Sequence, residues 1–166
     1  PVMYFPKFFH PDPTVKRQSG FLIPTIKNST NSSNFLNTPY FFAIAENKDA
    51  TFSPRFYTEE KILIQTEYRQ ANKNSNHITD FSFFNERGNS SKNHIFYEYD
   101  KDFSGKIFKN KEISFKVQQT NNDTYLKSDK IDNNITDDYN ILENSLGLDI
   151  YSNDLSISVN ANVYED

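Results

Sequence analysis

From Leu155 to Tyr164 the chain alternates without a break. Leu155, Ile157, Val159, Ala161 and Val163 fall on one side, and Ser156, Ser158, Asn160, Asn162 and Tyr164 fall on the other. A two-residue period fits an extended strand with one apolar and one polar face, because successive strand side chains point to opposite sides. Just upstream, Leu142, Leu146, Leu148 and Ile150 alternate with Glu143, Ser145, Gly147, Asp149 and Tyr151, and Asn144 is the one polar residue on the apolar side. Ser152-Asn153-Asp154 between the two runs supplies turn chemistry, so the pair reads as an antiparallel hairpin.

Earlier segments repeat the arrangement. Ile113, Phe115 and Val117 face away from Glu112, Ser114, Lys116 and Gln118; Ile62, Ile64, Thr66 and Tyr68 face away from Leu63, Gln65, Glu67 and Arg69; Ala50, Phe52, Pro54 and Phe56 face away from Thr51, Ser53, Arg55 and Tyr57. Less regular strands are expected from about His77 to Phe84 and from His94 to Lys101, and no segment reads as a helix. Connections are compact around Asn47-Lys48 and Ser152-Asn153-Asp154, while a long polar one runs from Asn121 to Tyr139.

Phe 16 and Tyr 10 give 16% aromatics beside only 4 Gly, a balance that suits a pleated surface. No stretch approaches the roughly 20 apolar residues of a transmembrane helix. Strands of a membrane barrel remain open, since each is only about 9 to 11 residues long and half of it faces a polar lumen. A net charge of -4 with dispersed Lys and Arg gives no basic field for nucleic acid. The 0 cysteines remove disulfides and thiolate metal sites. Alternation by itself leaves a soluble, carbohydrate-binding β-sandwich and a barrel equally open. Long strands, and polar faces carrying small Ser, Asn and Thr beside charges, tilt the reading toward a barrel; short turns at one end and long loops at the other fit it too. With no signal segment at Pro1 and a strand pattern at its close, the chain reads as a fragment.

The N-terminal region breaks the alternation. Phe21, Leu22, Ile23 and Ile26, then Tyr40, Phe41, Phe42 and Ile44, put apolar groups on both faces from Ser19 to Ile26 and from Phe35 to Ala45. Each strand also holds a proline, Pro24 and Pro39, on either side of the polar turn from Asn28 to Asn34. Proline gives no N–H to a ladder, so these residues either end and begin strands or make a weak seam where two strands can part.

No catalytic or cofactor constellation emerges. His10, His77 and His94 lack metal-ligand spacing and sit beside turn or strand-end residues, so no metal site is expected. Glu59-Glu60 and Asp137-Asp138 read as solvated charges in turns rather than a glycosidase pair. No nucleophile motif, phosphate loop or cofactor fingerprint appears, and catalysis is not expected.

Several motifs resemble a known family. Val2-Met3-Tyr4-Phe5-Pro6 and the run from His10 to Pro24 are followed by Thr38-Pro39-Tyr40-Phe41-Phe42-Ala43-Ile44-Ala45 and by Asp49-Ala50-Thr51-Phe52-Ser53-Pro54-Arg55. Together they resemble the LptD/OstA junction between a periplasmic domain and an outer-membrane barrel; beyond about Tyr68 only strand pattern and spacing carry the likeness. The resemblance implies an all-β protein in the cell outer membrane, with antiparallel strands of a large transmembrane β-barrel, incomplete here. Residues 1–17 would be the end of a periplasmic β-jellyroll and a hinge, with residues 18–166 the first nine or so of about 26 barrel strands. It implies insertion of lipopolysaccharide into the outer leaflet, with an LptE-like plug lipoprotein, an LptA-like periplasmic bridge and outer-membrane lipid as partners and no cofactor. Pro24 and Pro39 fall on the family's lateral gate. An apolar inner face around Leu22, Tyr40 and Phe42 would pass acyl chains, and Lys16 and Arg17 at the hinge either meet lipid phosphates or are the solvated charges of a linker. The family's disulfide has no cysteine here to form it. A general porin fragment is the remaining alternative.

Overall fold

The computed structural model describes residues 17–27, 34–58, 61–86, 88, 90–103, 110–136, 138–152 and 155–165. The jellyroll strand, most of the hinge, Lys16, His10 and the Glu59-Glu60 pair lie outside them.

The uninterrupted alternation at the C-terminal end forms β11 (Ser156–Glu165), which pairs antiparallel with β10 (Leu142–Tyr151) from Leu142↔Glu165 to Tyr151↔Ser156. Ser152 donates its N–H to the Leu155 carbonyl at 2.7 Å to close the turn. The pattern continues through β9 (Asn110–Thr120), β8 (Lys92–Phe103), β7 (Ser75–Glu86), β6 (Lys61–Asn72) and β5 (Lys48–Tyr57). Each pairs antiparallel with its neighbour in sequence, so the sheet is a meander. Strands of 10 to 12 residues match the length needed to cross a bilayer. Among the described residues the strands form one sheet, and no second sheet packs on it.

The first two predicted strands are each present in two pieces. β1 (Gly20–Phe21) and β2 (Thr25–Lys27) flank Pro24, while β3 (Phe35–Asn37) and β4 (Tyr40–Ala45) flank Pro39. β1 pairs with β4 and β2 with β3, and both β3 and β4 pair with β5. The sheet is open, with one edge at β1 and β2 and the other at β11.

Register assigns the faces. Phe52, Phe56, Ile62, Phe81, Phe83, Ile95, Phe115, Leu146 and Val159 share one face and are exposed. The opposite face carries Arg55, Gln65, Asp80, Ser82, His94 and Gln118, which are buried. Gly147, on this polar face, lies between Ser114 and Asn160 so closely that a Cβ would have no room. Polar inside and apolar outside inverts a water-soluble protein, where burial removes apolar surface from water.

Burial on the polar face comes from the β9–β10 connection. Residues after Thr120 turn back over the sheet and include a single helical turn, α1 (Tyr125–Ser128), where the sequence suggested no helix. Tyr125, Leu126, Ile131 and Ile135 from the loop pack with Leu63, Phe84 and Phe96 from the strands, and Leu142 joins them at the start of β10. The core therefore lies between a sheet and one of its own loops.

Candidate functional site: the interrupted strands and the clamped loop

At the sheet's first edge, Gly20↔Phe41 and Phe21↔Tyr40 pair on one side of the break, and Thr25↔Asn37 resumes on the other. Three residues, Leu22 to Pro24, thus stand opposite two, Thr38 and Pro39. The extra residue is a bulge, a device that ends or redirects pairing. Leu22 donates its N–H to the Pro39 carbonyl at 2.8 Å, and Thr38 donates to the Pro54 carbonyl at 3.1 Å. In an antiparallel ladder each such pair would return a second bond, but Pro39 and Pro54 have no N–H to give. Two consecutive seams, β1 against β4 and β3 against β5, therefore each lose a rung at the same height. Pro54 was missed as a candidate residue, although prolines recur fifteen residues apart at 24, 39 and 54.

The other predicted site residues are only partly assembled. The Tyr40 and Phe42 rings pack at a tilt of 56°, 4.6 Å between centres, and Phe21 meets Tyr40 edge-on at 4.9 Å. Tyr40 pairs with Phe52 and Phe42 with Ala50, so both lie on the apolar face instead of the expected inner one. Alternation from Phe21 turns Leu22 to the other side, and Leu22 stays apart from this aromatic row. Pro39 is buried and Pro24 is exposed. Arg17 forms an ion pair with the buried Asp49 at 2.6 Å and lies over the Phe41 ring. Asp49 also accepts from Arg69 at 2.8 Å.

The loop is held by polar strand residues. Arg55 donates to the carbonyls of Asp129 and Lys130, Gln65 to that of Asp132 at 2.7 Å, and Gln118 to that of Ile135. The Lys92 ammonium pairs with Asp129 at 2.9 Å. Beneath them runs a buried chain: Tyr125 OH to Ser82 Oγ, Ser82 Oγ to His94 Nδ1 and His94 Nε2 to Asp80, each 2.6 Å. Gln65 Nε2 donates to both Asp80 oxygens. The order Ser82, His94, Asp80 has the connectivity of a nucleophile relay. Yet Ser82 is 2% exposed and capped by Tyr125, so the group acts here as a clamp. His94, placed at a strand end by the sequence, lies inside β8, and His77 in β7 bonds the Tyr97 hydroxyl at 2.9 Å. Asn144 is also explained: its side-chain oxygen accepts the Gln118 N–H at 2.9 Å, and Glu143 donates its N–H to the Gln118 side chain.

Burial pushes the Tyr125 hydroxyl well above the ordinary phenol range, with its hydrogen bond to Ser82 pulling weakly the other way. A folded pKa raised in this way contributes stability that is fully present below the unfolded value, about 10 for tyrosine, and is lost as pH rises beyond it. The loop is expected to stay docked up to about pH 10 and to loosen above it. Ultraviolet absorbance of the phenolate, compared with a Tyr125→Phe variant, measures this; loosening at the same alkaline pH in both proteins would assign the transition to another group.

No family model matches this chain. It is similar to the LPS-assembly protein LptD of Pseudomonas putida (strain W619), at 35% identity over 98 residues, which are 59% of this chain and 10% of that protein. It is similar also to the LptD of Pseudomonas aeruginosa (strain LESB58), at 32% over 102 residues, 61% of this chain and 11% of the relative. With the LptD of Pseudomonas entomophila (strain L48) it shares 40% over 75 residues, 45% of this chain and 8% of the relative. The likeness reaches further along the chain than the motifs before Tyr68 suggested. Over these matched residues, and with an all-β antiparallel sheet of the expected kind, the chain is similar to proteins of the LptD/OstA family, spanning about a tenth of the length of the relatives it matches.

Proposed function

We propose that this chain forms the opening strands of an outer-membrane barrel that inserts lipopolysaccharide into the outer leaflet through a lateral gate at β1 to β4. The observation that carries the reading is the pair of one-way rungs at Pro39 and Pro54 beside the bulge at Pro24, on the first strands of a sheet whose exposed face is apolar. Lipid is the natural cover for that face, and a hydrated lumen suits the Ser and Asn face of β11. The short turns at 46–47 and 73–74, together with Arg17, would then lie toward the periplasm, and the β9–β10 loop would fold inward from outside. An LptA-like bridge would deliver the lipid to the end that Arg17 marks, and an LptE-like lipoprotein would fill lumen that the loop leaves open. The Arg17 guanidinium, half exposed beyond its pair with Asp49, has N–H groups left for a lipid phosphate.

In this reading acyl chains leave past Tyr40 and Phe42 along the apolar side of the seam, with Leu22 on the saccharide side. In cells depleted of the native protein, full-length Tyr40→Asp and Phe42→Asp variants are expected to reach the membrane as folded barrels. Surface lipopolysaccharide should nevertheless fall to the level of depleted cells, because a carboxylate in the seam opposes passage of hydrocarbon. Normal surface lipopolysaccharide with either variant would exclude this path. Loss of small-solute uptake with unaffected lipopolysaccharide on depletion would favour the porin alternative.

A further inference from the structure

At the end of the sheet opposite the short turns, the polar face is hollowed into a cavity of about 310 Å³. Its walls bring together Lys27 of β2, Lys61 of β6, Lys92 of β8 and Lys130 of the loop, with Phe35, Tyr57 and Phe84 as flat aromatic sides. Two of the cations are matched within the cavity, Lys61 by Glu86 and Lys92 by Asp129, at 2.8 and 2.9 Å. Lys27 and Lys130 share the cavity wall with Phe35, over whose ring the Lys27 ammonium and the Arg55 guanidinium lie at 6.0 and 5.2 Å from the centre. Neither Lys27 nor Lys130 has a carboxylate partner among the described residues, and Arg55 directs its guanidinium to two loop carbonyls. Four lysines thus share the cavity with two carboxylates, Glu86 and Asp129, which pair with Lys61 and Lys92.

Such convergence opposes itself unless an anion sits between the charges. The loop holds it in place all the same. Lys130 has a φ of 49°, a left-handed backbone uncommon for a residue with a side chain, and this turn follows directly from α1. Clamping of Asp129 and Lys130 by Arg55 fixes the turn that places Lys130 in the cavity wall with Lys27. The cavity also lies beside β2, whose outer side is unpaired and forms the first edge of the sheet. An anion held there would sit on the saccharide side of the proposed gate.

We propose that this cavity binds a phosphate group carried on the saccharide of a glycolipid passing the seam, with Lys27 and Lys130 as its principal ligands and the aromatic walls against the sugar. The proposal rests on the lipopolysaccharide reading and adds a specific station to it. The test uses the full-length protein purified with its natural partners. Its probes are a bis-phosphorylated acylated glucosamine disaccharide, the same lipid with both phosphates removed, and inorganic phosphate. The phosphorylated lipid is expected to bind about tenfold or more tightly than its phosphate-free form, a difference of about 1.4 kcal/mol. Lys27→Gln with Lys130→Gln should erase that preference and leave binding of the phosphate-free lipid unchanged, while Lys27→Arg with Lys130→Arg should keep it. A preference that survives the double glutamine variant overturns the cavity and leaves the lipopolysaccharide reading standing. Failure of both lipids to bind overturns that reading together with the cavity's glycolipid ligand. Inorganic phosphate binding as tightly as the phosphorylated lipid, and lost in the glutamine variant, overturns the glycolipid source in favour of free phosphate.

Discussion

Replacing Tyr125 with alanine is expected to destabilise the docked β9–β10 loop by about 3–5 kcal/mol, the range for deleting a buried aromatic side chain. Tyr125 is fully buried, touches Phe84 and His94 with its ring, and closes the hydrogen-bonded chain through Ser82. Without it, Ser82 loses a partner, and leaving a buried polar group unsatisfied adds to the lost packing. The sheet itself keeps its ladder, because the loop contributes no rung between β5 and β9. Hydrogen exchange should therefore rise sharply from Asn121 to Ile141 and little in β5 to β8. Leu126→Ala, which removes packing but no hydrogen bond, should show a smaller rise. Equal protection of the loop in Tyr125→Ala and the unaltered protein would mean that the polar anchors at Arg55, Gln65 and Gln118 hold it unaided.

The second large effect concerns the seam. Pro39→Ala combined with Pro54→Ala supplies the two missing N–H groups, one toward Leu22 and one toward Thr38. Each regained bond contributes about 0.5–1.5 kcal/mol. Two of them would slow parting of the strands by roughly tenfold, at about 1.4 kcal/mol per factor of ten. In cells carrying the full-length variant, newly made lipopolysaccharide should reach the surface correspondingly late, although the barrel assembles normally. If hydrogen exchange reports both new bonds and the rate of arrival is unchanged, the prolines do not set gate opening.

The strands were legible because a sheet with one apolar and one polar face writes both directly into the sequence. Ile62 to Arg69 and Leu155 to Tyr164 can be read in no other period. The folded-back loop was not legible for the converse reason: Tyr125, Leu126, Ile131 and Ile135 follow no strand or helix period and are diluted by Asn, Asp and Lys. Their counterparts were visible as exceptions, since Leu63, Phe84 and Phe96 are apolar residues on otherwise polar faces. An apolar residue on the wrong face implies a cover, and only the three-dimensional arrangement identifies which segment supplies it. The same holds for Asp80, Ser82 and His94, whose alliance depends on register between two strands. At the seam, Pro24 and Pro39 could be singled out by composition, but the side on which Tyr40 and Phe42 lie depended on pairing with β5.

The Arg17 contact determines how mechanical load enters the sheet. Arg17 precedes β1, yet its ion pair is with Asp49 of β5 and its ring contact is with Phe41 of β4. Asp49 is tied in turn to Arg69 of β6. A pull or twist on the preceding chain is therefore carried past the two residues of β1 into the continuous strands behind it. In the proposed gate, this bypass would let the seam part without bearing load from the preceding residues.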